Sequence, residues 1–179
     1  MHSKEEKVLR LFFNSAKHWH FDELLKESGL SRSRLCFWLK KYEHNGIIKR
    51  IKPKGKRPYY AQIFSASFRN KKKLFALKQL TESGLLNHLS SLDEAKVIII
   101  FGSFIRADWY EHSDIDIFIY GNSNDFEQGR FELKLKRDIQ LHTAKDKNDL
   151  RRIDKMLPYI FSGMFVKGTI EDLGVKINV

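Results

Sequence analysis

The stretch IIIFGSFIRADWYEHSDIDIFIYG, from Ile98 to Gly121, constrains this chain more than any other. One apolar run, KVIIIF, stops at Gly102-Ser103. Ten residues later a second begins within SDIDIFIYG. Continuous apolar runs of this length, rich in Ile and Val, predict buried strands. Asp114 and Asp116 interrupt the second one. Side chains alternate across a strand, so Ile115, Ile117 and Ile119 share one face while Asp114, Asp116 and Phe118 share the other. A carboxylate on a core strand is costly unless something pairs with it. Two carboxylates at i and i+2 lie roughly 6.5–7 Å apart along a strand. That spacing lets both grip one hard cation, or two cations close together.

Apolar strand, Gly-Ser turn, ten residues and Asp-x-Asp together resemble the DNA polymerase beta-like nucleotidyltransferase superfamily. The flanking GSFIR…SDIDIFI is similar to its minimal members common in prokaryotes. The resemblance implies a mixed sheet and transfer of a nucleoside monophosphate from ATP or another NTP to a hydroxyl, releasing pyrophosphate. It implies Mg2+, or Mn2+ in its place, held by Asp114, Asp116 and a third carboxylate on a later strand. Asp138, opening KRDIQLHTA, is assigned that third place and stands nearest to activating the acceptor; Glu132, on the helix expected before it, is the fallback. Gly102 would let the backbone approach a phosphate. Ser103 would donate to a phosphate oxygen at the start of a short helix within FIRADWYE. Arg106, one turn on, would reach the nucleotide or brace the loop. Where the family often has x-Ala-Arg-Gly after Gly-Ser, this chain has Phe104-Ile105-Arg106-Ala107. Fewer than 90 residues remain from about residue 93 onward, which argues for a single transfer rather than processive synthesis. Some minimal relatives nucleotidylate a tyrosine of a partner toxin, so a protein acceptor is within the family's range.

The other half of the chain has a different character. Residues 1–75 carry 19 Lys/Arg against 6 Asp/Glu, whereas residues 76–179 carry 14 against 16. Charge so unevenly placed suggests a module facing nucleic acid joined to something else, with a solvated basic surface as the plainer reading. KEEKVLRLFF places Val8, Leu9, Leu11 and Phe12 on one helical stripe. FDELLKESG reads as a second helix ended by Gly29, with Leu24 and Leu25 inward. Ser31 suits the N-cap of a third, whose apolar side and flanks hold Leu35, Phe37, Trp38, Leu39 and Tyr42. Two short strands around KPKGKRP complete a hairpin. Over residues 3–64 this order resembles the winged helix-turn-helix family, and the resemblance implies binding of double-stranded DNA. Arg32, Ser33 and Arg34 would then open the recognition helix, with Lys40 and Lys41 further along it. Lys52, Lys54, Lys56 and Arg57 on the wing would meet phosphates. Winged helices also bind proteins, so the fold does not fix the partner.

The expected architecture is thus α+β: a winged helix-turn-helix over 1–65, a helical linker over 66–92, and a minimal nucleotidyltransferase α/β domain with a mixed sheet over 93–179. In the linker, Phe68, Leu74, Leu77, Leu80, Leu85, Leu86 and Leu89 recur at helical spacing, with a break at Gly84. Ordinary core is the first reading of that stripe, and homodimer packing the second. Cys36 alone permits no internal disulfide and no cysteine metal site. No run approaches the ~20 apolar residues of a membrane span, and MHSKEEKVLR lacks a signal peptide's apolar centre. A cytoplasmic protein with no membrane partner is the expectation. The rival function is a DNA-binding transcription regulator that senses nucleotide without turning it over.

Overall fold

The computed structural model describes residues 4–174. They form two compact units dividing between Lys72 and Lys73, a point inside one helix.

The N-terminal unit contains α1 (Lys4–Asn14), β1 (Trp19–His20), α2 (Phe21–Ser28), α3 (Arg32–His44), β2 (Ile48–Ile51), β3 (Tyr59–Gln62) and the start of α4 (Ala66–Glu82). The expected β2–β3 hairpin is present. A third strand joins it, with Trp19 opposite Tyr60 and His20 opposite Tyr59. Two residues carry no periodicity, which is why β1 is invisible in the sequence. Val8, Phe12, Phe13, Leu24, Leu35, Leu39 and Tyr42 bury almost completely. The Tyr42 hydroxyl donates to the Glu5 carbonyl at 3.0 Å, tying α3 to α1. Burial, and then the Glu5 charge, push the Tyr42 phenol well above the usual tyrosine range.

Three local expectations change here. Ser31 occupies the N-cap of α3, but its hydroxyl meets the Ser33 hydroxyl at 3.3 Å instead of capping a backbone N–H. Leu25 is only half-buried beside the fully buried Leu24. Phe37 is 60% exposed, because it lies on the stripe of Ser33, Lys40 and His44, opposite the inward Leu35, Leu39 and Tyr42.

Helix α4 also departs from its expected stripe. Leu74 and Leu77 are 66% and 40% exposed, and Phe68, Lys72, Phe75, Ala76 and Leu80 are the buried positions. Those five recur at i, i+4, i+7, i+8 and i+12 on one face; position 74 lies nearly opposite it and position 77 well round from its centre. Gly84, at φ +81°, separates α4 from α5 (Leu85–Ser90).

In the C-terminal unit, α5 is followed by β4 (Ala95–Phe101), α6 (Gly102–Arg106), β5 (Ile115–Gly121), α7 (Gln128–Leu135), β6 (Ile139–Ala144), α8 (Lys147–Arg152), α9 (Leu157–Phe161) and β7 (Met164–Lys167). The four strands form a mixed sheet in the order β6-β5-β4-β7, with β5 and β6 parallel and the other pairs antiparallel. Helix α7 makes the crossover that a parallel pair requires. The Asp146 side chain caps α8, accepting from the N–H groups of Asn148 and Asp149, as an acidic residue at a helix start should. Helix α6 is shorter than FIRADWYE suggests: Ala107 takes a left-handed φ of +67° and ends it. Trp109 then sinks completely into the core beside Phe75 and Phe104. Among the described residues the last strand is β7, and residues 175–179 of the expected terminal hairpin lie outside them.

Candidate active site

One face of the sheet is apolar at one end and polar at the other. Val97, Ile99 and Phe101 of β4, Phe118 and Tyr120 of β5, and Ala144 of β6 pack with Leu150, Ile160 and Leu173. Along the same face toward the start of β5, the side chains become Asp116 and Asp114, and along β6 they become His142 and Gln140. The grease secures the strands in the sheet, and the polar end is where the chain can meet a ligand. Register fixes the neighbours of Asp116: Phe101 lies opposite on β4 and Gln140 opposite on β6. His142, held against the Phe101 ring, brings Nε2 to 4.0 Å from Asp116 Oδ1. Burial pushes the Asp116 carboxyl above the ordinary aspartate range. His142 pulls it back, the Asp114 charge pushes it up again, and Arg106 lowers it slightly. Asp114 is exposed, one residue before β5.

Gly102 meets the site in a way the sequence did not disclose. Its φ is +78°, and a Cβ placed on it would lie 1.9 Å from Asp116 Oδ2 and 2.7 Å from Asp116 Cγ. The glycine is therefore required twice, by its own left-handed backbone and by the carboxylate seated against it. Ser103 is half-buried in the first turn of α6, and its carbonyl accepts from the Ala107 and Asp108 N–H groups. Arg106 is exposed and donates from Nε to Asp108 Oδ2 at 3.2 Å.

Asp138 lies just before β6 and is exposed. Its carbonyl accepts from the Ile115 N–H at 2.9 Å, which sets it level with Asp114 rather than Asp116. Glu132 is already occupied: it accepts from Gln128 Nε2 at 2.9 Å and from the Ile139 N–H at 3.0 Å. Those bonds hold its carboxyl below the usual range. Among the described residues, no three His, Cys, Asp or Glu side chains come together as a metal-holding group. The structure thus brings Gly102 and His142 to Asp116, and leaves Asp138 and Glu132 out of such a group. A cleft of about 840 Å³ opens beside Ser113, Glu132, Lys136 and Asp138. Gln140 and His142 stood in the β6 alternation, but only the parallel register shows which of them faces Asp116.

In the N-terminal unit, Arg32, Ser33 and Arg34 are exposed on the first turn of α3, and Lys40 and Lys41 are exposed further along it. Arg32 lies 4.9 Å over the Phe21 ring and Lys41 4.8 Å over Trp38. Lys52, Lys54, Lys56 and Arg57 are exposed in the β2–β3 turn, where Gly55 takes φ +72°. Lys49 and Arg50 on β2 are exposed as well. They extend the basic surface beyond the residues singled out by sequence, having been read only as strand.

Residues 84–170, just under half of the chain, match the family model described as Polymerase beta, Nucleotidyltransferase. The match contains Gly102, Ser103, Asp114, Asp116 and the whole mixed sheet, supports the polymerase beta-like superfamily for this region, and suggests nucleotidyl transfer. No curated protein matches the chain. No helix among the described residues is long and apolar enough to cross a membrane.

Proposed function

We propose that the C-terminal unit transfers a nucleoside monophosphate from an NTP, with ATP the leading candidate, to a hydroxyl acceptor. The observation that carries this reading is the seating of the Asp116 carboxylate against Gly102 at the Gly-Ser turn. A half-buried carboxylate whose charge is disfavoured by its surroundings, beside a second carboxylate, suits a hard cation. Asp114 and Asp116 would hold Mg2+, or Mn2+ in its place, which when bound supplies charge neutralisation for the triphosphate and activation of the acceptor. Ser103 and the backbone at Gly102 would bind the phosphates. In the transfer, the acceptor oxygen forms a bond to the α-phosphorus while the bond from that phosphorus to the bridging oxygen breaks. Pyrophosphate leaves, and the acceptor proton passes to Asp138. The cleft beside Asp138 offers the acceptor an approach, and a protein hydroxyl is within its scope.

We propose further that the N-terminal unit is a winged helix binding double-stranded DNA. Helix α3 would enter the major groove and the β2–β3 turn would lie on phosphates. The exposed basic side chains on both elements support this reading. A homodimer on palindromic DNA is compatible with it.

The test is incubation with labelled ATP, Mg2+ and candidate hydroxyl acceptors. Pyrophosphate release abolished by Asp114→Ala and by Asp116→Ala supports transfer, and no release with any acceptor removes it. A second reading draws on Asp138 standing apart from a three-carboxylate group: a DNA-binding regulator that senses nucleotide without turnover. Nucleotide-dependent DNA affinity in the absence of pyrophosphate release would select it.

A further inference from the structure

Both peptide groups flanking Asp114 are held by two consecutive residues of another segment. Arg137 Nη1 lies 2.8 Å from the Ser113 carbonyl, on the N-terminal side of Asp114. The Asp138 carbonyl accepts from the Ile115 N–H at 2.9 Å, on its C-terminal side. The same Nη1 also reaches the carbonyls of Tyr110 at 2.8 Å and Glu111 at 3.0 Å. One nitrogen with two hydrogens serves three acceptors, so at least one bond is shared. The guanidinium is fixed from its other side, 4.8 Å from the Trp109 ring and 5.2 Å from that of Phe104, both fully buried. Its own segment is fixed too, because Glu132 accepts from the Ile139 N–H and Gln128 donates to the Ile139 carbonyl. Arg137 is therefore anchored on buried aromatics and braced from α7. Within the loop, the Ser113 N–H donates to the Tyr110 carbonyl and the Tyr110 N–H to the Ser113 hydroxyl.

We infer that Arg137 is a positioning residue for nucleotidyl transfer: it locks the 110–113 loop so that Asp114 projects beside Asp116. The inference rests on the transfer reading, but the clamp itself can be measured without it. Lysine keeps the charge but not the flat guanidinium that, lying over Trp109 and Phe104, fixes Nη1 against the three carbonyls. Displacing a reacting group by about 1 Å costs about 100-fold in rate, so kcat should fall together with the affinity for the metal-bound nucleotide.

The experiment compares the full chain with Arg137→Lys and Arg137→Gln. Arg137→Lys keeps a cation over Trp109 and Phe104, and it decides the matter if Arg137→Gln fails to fold. Amide hydrogen exchange over 110–115 should accelerate while exchange in β4 stays as it was. Affinity for Mn2+·ATP should fall about tenfold while affinity for metal-free ATP holds, and kcat should fall about 100-fold. In an Asp114→Asn background, Arg137→Lys should cost no further Mn2+·ATP affinity, since both changes act through one group. Unchanged exchange over 110–115 overturns the inference. So does accelerated exchange with unaltered Mn2+·ATP affinity and kcat, or an equal loss in both backgrounds. A wild-type chain that neither binds Mn2+·ATP nor makes product removes the transfer reading and the positioning role with it, while the exchange result reports separately on the clamp.

Discussion

The two units use charge in opposite ways. On the N-terminal unit the basic side chains are exposed on α3 and the β2–β3 turn, with Arg32 and Lys41 lying over aromatic rings. In the C-terminal unit a single carboxylate, Asp116, is half-sunk at the polar end of an otherwise apolar sheet face, and its surroundings disfavour its charge. Charges spread over a surface act by number, and any one of them can be exchanged at small cost. A charge set into a packed sheet acts by position, and the residues around it have little latitude. The contrast explains why one unit can be described only as a basic surface, while the other points to particular atoms.

The sharpest way to probe the constrained half is through its packing. Trp109→Ala removes a fully buried ring that touches Phe75, Phe104 and Arg137, and should cost about 3–5 kcal/mol in urea unfolding of the C-terminal unit. Gly102→Ala comes next. The added methyl would overlap Asp116 Oδ2 and sit at a left-handed φ. Either Asp116 turns away or the backbone shifts, and turnover should fall about 100-fold; a variant with unchanged kcat would break the claim that this glycine makes room for the carboxylate.

Asp116→Asn tests the same contrast from the stability side. Burial raises the Asp116 carboxyl in the folded chain, so the charged form costs stability at neutral pH. That cost is absent below the unfolded value, where both states are protonated, and grows as pH rises through and above the aspartate range. Asp116→Asn should therefore stabilise the fold at pH 7 by about 1 kcal/mol, as relief of active-site strain commonly does. The gain should shrink on acidification while turnover is lost. Binding of Mn2+ to the wild-type chain should also weaken on acidification earlier than an ordinary aspartate would dictate, because the proton competes with the metal for Asp116. The smallest effect belongs to the exposed half: Lys54→Ala should weaken DNA binding only a few-fold and lower the slope of log affinity against log salt by about 0.9. A loss as large as that of Gly102→Ala would erase the distinction between the two kinds of charge.

Much of the chain could be read before any fold was seen, and the reason is periodicity. The apolar runs of β4 and β5, the Gly-Ser between them and the alternation that sends Asp114 and Asp116 to one face follow from local sequence. So do the three N-terminal helices, the hairpin turn and the acidic cap at Asp146. What local sequence misjudged were choices between neighbouring positions on one helix, such as Phe37 against Trp38 or Leu74 against Phe75. There hydrophobicity is equal, and only the packing partner decides which side faces inward.

The neighbours of Asp114 and Asp116 depended on tertiary structure for a stricter reason. Asp138, just before β6, shares the alternation of Gln140 and His142 on it, and sequence ranks the three by chemistry, favouring the carboxylate. The parallel β5–β6 register ranks them by place, pairing Gln140 with Asp116 and leaving Asp138 level with Asp114. Register is a long-range hydrogen-bonding choice that no local pattern encodes. Arg137 shows the same limit. Nothing in KLKRDIQ marks one cation among several as the clamp on a loop some 25 residues earlier, because its acceptors are backbone carbonyls, which every residue carries. Side-chain chemistry and period were written along the chain, whereas the partners of Asp114 and Asp116 came into being only when the strands paired.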